Sequence, residues 1–220
     1  MIEGAIFDMD GVLLDSMSAW KHTGELYLKT LGIRAEPGLD ETLSPLSMEA
    51  GAAYLLERYS LKGVDVPDIT KGITEIIEGF YAEEAQVKPG VKGFLAESHK
   101  RAVPMTVATS SARTLAEAAF RRNGILQYFS RIFTCSEVGA GKVEPDIYLE
   151  AAGWMGTTPD KTWVFEDALH ALETAGKAGF RLAGVYDDSG KEVQEKIRER
   201  CHIYLGEIMD FTYFYNIAVK

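Results

Sequence analysis

From residue 103 onward the 220-residue chain keeps one rhythm, a short β-rich run followed by a stretch at helical spacing. VPMTVAT precedes TLAEAAFRRNG, RIFTC precedes PDIYLEAAG, TWVFED precedes ALHALETAGKAG, RLAGVY precedes KEVQEKIRER, and HIYL closes the series. Strands separated by helices have to cross over before they pair, so the rhythm predicts βαβ units and an α/β fold built on a doubly wound parallel sheet. With residues 2 to 8 as a further strand, the sheet has about six strands. Gly124, Gly153 and Gly179 fall where helices should end.

Residues 16–88 break the rhythm, because SMSAWKHTGELYLKTLGI, LSMEAGAAYLLERYSL and DITKGITEIIEGFYAEE all read at helical spacing with no strand between them. The organisation expected is therefore a core of residues 1–15 and 89–220, with residues 16–88 inserted as a helical domain and Lys88-Pro89-Gly90 as a hinge.

In an open parallel sheet ligands collect at the carboxyl ends of the strands. The first strand ends in FDMDG, which places Asp8 and Asp10 there; the next ends in Thr109, Ser110 and Ser111; a later loop carries Lys142; TWVFED ends in Glu166 and Asp167. A buried strand end tolerates acids only when they are paired or hold a cation. Each group has a plainer reading taken alone. Asp-Gly is a common turn, the hydroxyls could cap a helix starting near Ala112, Lys142 could be a solvated loop lysine, and Glu166-Asp167 could be a helix cap. Their recurrence at successive strand ends points instead to a site for a divalent cation and a phosphoryl group.

Composition narrows the partners. A formal net charge of −10 with no basic stripe argues against nucleic acid, and no apolar run approaches the length of a membrane span. No signal peptide is legible, so the expected location is the cytoplasm. Cys135 and Cys201 form no C-x-x-C pair and read as reduced thiols, and the four histidines are unclustered in sequence. Nothing in the sequence sets the oligomeric state.

D-x-D-G-V-x-x-D-S, followed in order by the hydroxyl cluster, the lysine and the Glu-Asp pair, resembles the haloacid dehalogenase (HAD) superfamily over essentially the whole chain. The similarity is to its helical-cap group, with phosphoglycolate phosphatase and beta-phosphoglucomutase. It implies a Rossmann-like core and a Mg²⁺-dependent phosphatase acting on a small phosphorylated metabolite through an aspartyl-phosphate. Asp8 would be the nucleophile and Asp10 the general acid and base. Thr109 and the Ser110 N–H would hold phosphoryl oxygens, Lys142 would pair Asp8 with the phosphate, and Asp167 with Glu166 would bind Mg²⁺ beside Asp8 and the Asp10 carbonyl. The chemistry is consistent with that division, since a carboxylate is ionised without a base, whereas an acid working near neutrality has to be tuned upward.

Val143 stands where the family often has proline, Ala168 where serine is usual and Ala171 where glycine is usual. A signalling receiver domain shares the groups but not their order, and lacks such an insertion. A sugar-phosphate mutase shares every core motif but must hold a second phosphate, and no Lys, Arg or His occurs from Ala35 to Glu57. Trp20, Thr23 and Tyr27 lie at i, i+3 and i+7 of the first inserted helix. Such a stripe usually packs a core, but its position shortly after Asp10 also makes it the candidate for recognising the leaving group.

Overall fold

The computed structural model describes residues 2–43, 46 and 48–219. The chain divides into two compact units, Met1–Asp15 with Ala85–Lys220, and Ser16–Glu84.

In the first unit β1 (Gly4–Phe7) is the earliest strand; the second unit then supplies α1 (Met17–Lys21), α2 (Thr23–Thr30), α3 (Leu39–Leu43), α4 (Met48–Arg58) and α5 (Val66–Glu83). Back in the first unit follow α6 (Val91–Lys100), β2 (Met105–Thr109), α7 (Arg113–Asn123), β3 (Arg131–Thr134), α8 (Cys135–Val138) and α9 (Asp146–Met155). The chain continues through β4 (Thr162–Glu166), α10 (Leu169–Lys177), β5 (Arg181–Val185), α11 (Gln194–Arg200), β6 (Ile203–Leu205) and α12 (Phe211–Ala218).

The six strands pair in parallel, as the alternating pattern predicts, and the structure sets their order as β3-β2-β1-β4-β5-β6. Strands of this kind are buried on both faces. On one face Ile6, Val164 and Leu182 pack with Tyr148 and Ala151 of α9 and Leu172 of α10. On the other, Phe7 stacks on Phe165 at 4.3 Å between ring centroids, and Phe94 of α6 and Phe214 of α12 close over Phe165. Order reverses at β1, which sits between β2 and β4. That reversal opens a crevice at the carboxyl ends of β1 and β4.

Gly124 ends α7 in left-handed conformation and Gly179 follows α10 with positive φ, but Gly153 lies inside α9, which runs on to a left-handed C-cap at Gly156. The apolar pattern carries it there, because Met155 still packs on the core. Residues 85–88, read from the sequence as part of the insertion, group with the first unit. The Asp15 N–H donates to Gln86 O, Lys88 N–H to Leu13 O, and Leu14 bridges to Val87, so the returning chain lies along the outgoing one.

The helical unit has its own core of Tyr27, Leu28, Leu39, Ala52, Leu55, Ile69 and Ile73. Along α5, Ile69, Ile73, Ile77 and Tyr81 repeat every fourth residue on the buried face, and a reciprocal Asp65–Asp68 capping box starts the helix. Gly72 leaves the room that the Tyr27 ring fills; a Cβ there would lie 2.5 Å from it. His22, unclustered in sequence, meets Asp40 at 2.6 Å across the unit.

Candidate active site

Parallel register builds the site. Ile6 pairs with Val164 and Phe7 with Phe165, and the Asp8 N–H donates to Phe165 O, so the next step along both strands sets Asp8 beside Glu166. Beyond Asp8 the chain turns tightly. Leu13 and Leu14 N–H both donate to Met9 O, the Gly11 N–H donates to Leu14 O, and Met9, Val12, Leu13 and Leu14 are fully buried. Four apolar anchors thus hold a loop that carries Asp10. Gly11 has φ +74°, and a Cβ there would collide with the Asp167 carboxylate.

Lys142 reaches the crevice from the loop after α8. Its ammonium lies 2.5 Å from Asp8 Oδ1 and 2.7 Å from Glu166 Oε1, and the residue is 8% exposed, so it is no solvated loop lysine. The same Glu166 oxygen accepts a 2.8 Å hydrogen bond from the Tyr148 hydroxyl of α9. Burial alone would discharge Lys142, but Asp8 and Glu166 reverse that and raise its pKa.

None of the three hydroxyls at the end of β2 caps α7, whose N-cap is Ala112 with no side-chain bond. Thr109 is fully buried and its Oγ1 accepts the Ser111 N–H at 3.0 Å. The Ser111 hydroxyl donates to Asp10 Oδ2 at 2.7 Å, and the exposed Ser110 places its hydroxyl 3.5 Å from Cys135 Sγ. Glu166 and Asp167 do not cap α10 by side chain either. Ala168 holds that N-cap position in extended backbone. Ala168→Ser is therefore expected to stabilise the protein by about 1 kcal/mol, read as a higher urea midpoint at unchanged slope.

Asp8, Glu166 and Asp167 each offer a carboxylate oxygen within 4.8 Å of the others. Burial, then Glu166, pushes the Asp8 carboxyl well above its ordinary range, with Lys142 acting in the opposite direction. Burial and Glu166 likewise push Asp167 up to about 7. Glu166 Oε2 is buried with no hydrogen-bond partner among the described residues. An all-oxygen set in which Asp8 and Asp167 resist ionisation and one Glu166 oxygen is buried and unpartnered among the described residues fits a hard divalent cation such as Mg²⁺.

The structure therefore brings Asp8, Asp10, Thr109, Lys142, Glu166 and Asp167 together in the first unit, with Ser110 at its exposed margin. Sequence reasoning missed Tyr148 and the Ser111–Asp10 bond. The signal for Ser111 was present in the strand-end hydroxyl cluster; Tyr148 read only as an apolar position of a helix.

Trp20, Thr23 and Tyr27 do not share one helix. The helix breaks at His22 (φ −101°, ψ 17°). Tyr27 is buried in the helical unit's core, the Thr23 hydroxyl donates to Trp20 O, and the half-buried Trp20 donates from Nε1 to Tyr81 Oη at 2.7 Å.

Comparison with known proteins gives the family. Residues 2–179 match the haloacid dehalogenase-like hydrolase family. A Drosophila melanogaster protein provisionally named pseudouridine-5'-phosphatase is 30% identical over 214 residues, covering 94% of this chain and 90% of its own. The fructose-1-phosphate phosphatase YqaB of Escherichia coli is 31% identical, over 83% of this chain and 95% of its own. A Thermotoga maritima crystal structure, provisionally named a beta-phosphoglucomutase, superimposes with TM-score 0.85 at 24% identity over 97% of this chain and 99% of its own, which speaks to the fold.

Proposed function

The chain belongs to the haloacid dehalogenase-like hydrolases as a phosphoric monoester hydrolase, and from that premise we propose that it hydrolyses the monophosphate of a small neutral metabolite, a sugar or polyol, through a phosphoryl-Asp8 intermediate with Mg²⁺ as cofactor. The observation that carries this reading is the convergence of Asp8, Lys142 and the Ser111-bound Asp10 at one strand crevice.

Asp8 attacks phosphorus through a carboxylate oxygen, and Lys142 holds that carboxylate in place from 2.5 Å while its charge faces the incoming phosphate. The Thr109 hydroxyl and the Ser110 N–H bind the other phosphoryl oxygens. Asp10, oriented by Ser111, gives its proton to the departing alkoxide and then takes one from the water that opens the aspartyl-phosphate. Glu166 receives Lys142 and Tyr148 on one oxygen, which leaves Oε2 turned away from them. Asp8, Asp10, Glu166 and Asp167 would hold Mg²⁺, which when bound supplies positive charge against the phosphoryl oxygens.

A neutral leaving group is supported by the absence of Lys, Arg and His from Ala35 to Glu57, since a mutase would need cations for its second phosphate. The helical unit's own core consumes Tyr27, which leaves Trp20 and Thr23 as the candidates from the sequence for leaving-group recognition.

Asp10→Asn separates this chemistry from generic phosphate binding. An aryl phosphate leaves with little help from an acid, whereas an alkyl phosphate needs protonation, so kcat is expected to fall about 10²- to 10⁴-fold on the alkyl ester and far less on the aryl one. Equal losses on both esters would remove Asp10 as the acid. For the cofactor, Mg²⁺ is expected to raise the melting temperature of the EDTA-treated wild type with the logarithm of its concentration once that exceeds Kd, and to do so much less for Asp167→Ala. Equal shifts in both proteins would place the ion elsewhere.

A further inference from the structure

Lys88 is a buried lysine that the mechanism above does not use. It lies one residue before Pro89, where the chain has just returned from the helical unit, and it is 9% exposed. Its ammonium donates to three acceptors: Gly11 O at 2.7 Å, Tyr186 O at 2.6 Å and Asp187 Oδ2 at 2.9 Å. An ammonium has three N–H donors, so all of its capacity is spent. Two of the acceptors lie in the loop after β5, and the third is the carbonyl of the residue that follows Asp10.

The Asp187 end is as firmly fixed. Asp187 Oδ1 accepts from the Ser189 N–H at 2.9 Å and from the Ser189 hydroxyl, and its carbonyl accepts from Gln194 Nε2 at 3.0 Å. Lys88 is thus a strut between a fixed loop and Gly11. Gly11 in turn leaves no space for a Cβ against Asp167, so a shift of its peptide would disturb Asp10 on one side and Asp167 on the other.

We propose that Lys88 is a positioning residue for this active site, holding the Gly11 carbonyl so that the loop presents the Asp10 carboxyl to the leaving-group oxygen. The proposal rests on the phosphatase reading and deepens it. Lys88 itself touches no reacting atom. What it sets is the geometry of the proton donor, where a displacement of about 1 Å costs on the order of 10²-fold in rate. An ion pair kept for stability alone would be indifferent to the leaving group.

Removing Lys88 by itself would strand the Asp187 carboxylate in a buried place, so the decisive variant is the charge-balanced Lys88→Met/Asp187→Asn, with Asp187→Asn as its partner control. Asn keeps the bond to Ser189 through its carbonyl oxygen, and Lys88 keeps Gly11 O and Tyr186 O but loses its counter-charge. The single variant is therefore expected to melt lower than wild type and is compared on activity once its own melt shows that it is folded. Folding is verified by a cooperative melt well above the assay temperature, and kcat and KM are measured on an alkyl and an aryl phosphate beside the wild type. The double variant is expected to lose about 10- to 100-fold in kcat on the alkyl ester, and several-fold less on the aryl one, with KM changed by less than about threefold. Asp187→Asn should stay within about threefold of wild type on both. A folded double variant with wild-type kcat, or with equal losses on both esters, overturns the positioning role, as does an Asp187→Asn single variant that is equally impaired. If the double variant does not fold while Asp187→Asn folds and turns over like wild type, Lys88 serves the fold and the proposal also fails. Absence of hydrolysis by the wild type would instead remove the phosphatase reading.

Discussion

Asp8→Asn is expected to lower kcat by on the order of 10⁴-fold or more on every phosphate ester, aryl or alkyl, while the protein stays folded. An amide cannot take the phosphoryl group, and no leaving group, however activated, replaces a missing nucleophile. The independence from leaving group distinguishes this variant from Asp10→Asn. Stability should hold or rise. Burial and Glu166 make the charged form of Asp8 costly, and Lys142 keeps a partner in Glu166 at 2.7 Å when Asp8 is neutral. Measured kcat together with a urea midpoint checks both halves of the expectation.

Lys142→Met should have the largest effect on stability. Lys142 stands between two carboxylates, at 2.5 Å from Asp8 and 2.7 Å from Glu166, and is itself buried. Methionine fills a similar volume but leaves those carboxylates facing each other with no cation. Breaking a buried pair in this way costs about 3–5 kcal/mol, well above the cost of an exposed one. Activity should fall as well, because the same ammonium orients the nucleophile. The check is the urea midpoint of Lys142→Met against that of Lys142→Met/Asp8→Asn. Neutralising Asp8 should recover part of the loss, since the two changes share one interaction. A single variant as stable as wild type would mean that Lys142 does not hold these carboxylates apart.

The core was legible because its signals are local and periodic. Each strand of the first unit is a short apolar run beside a helical pattern, and the candidate catalytic groups sit at the ends of those runs, where a buried charge has no ordinary explanation. Boundaries were harder. Residues 85–88 read with the insertion but group with the first unit, because pairing between Leu14 and Val87, and between Asp15 and Gln86, is non-local and leaves no periodic trace. Gly153 was read as a helix end although the apolar face continued to Met155, where Gly156 supplies the left-handed stop. In the helical unit, the stripe through Trp20, Thr23 and Tyr27 assumed an unbroken helix, and spacing alone could not show the interruption at His22. Partners such as Tyr148 for Glu166, and Lys88 for Gly11, come from residues 18 and 77 positions apart, a separation that only the fold bridges.

The central claim is that Asp8, and not water, attacks phosphorus first. The stereochemical course at phosphorus tests it directly, using an ester whose phosphoryl oxygens are isotopically distinguished so that the phosphorus is chiral. Transfer to Asp8 followed by transfer to water inverts configuration twice, and the account predicts net retention in the released phosphate. Net inversion would show a single displacement by water and would contradict it.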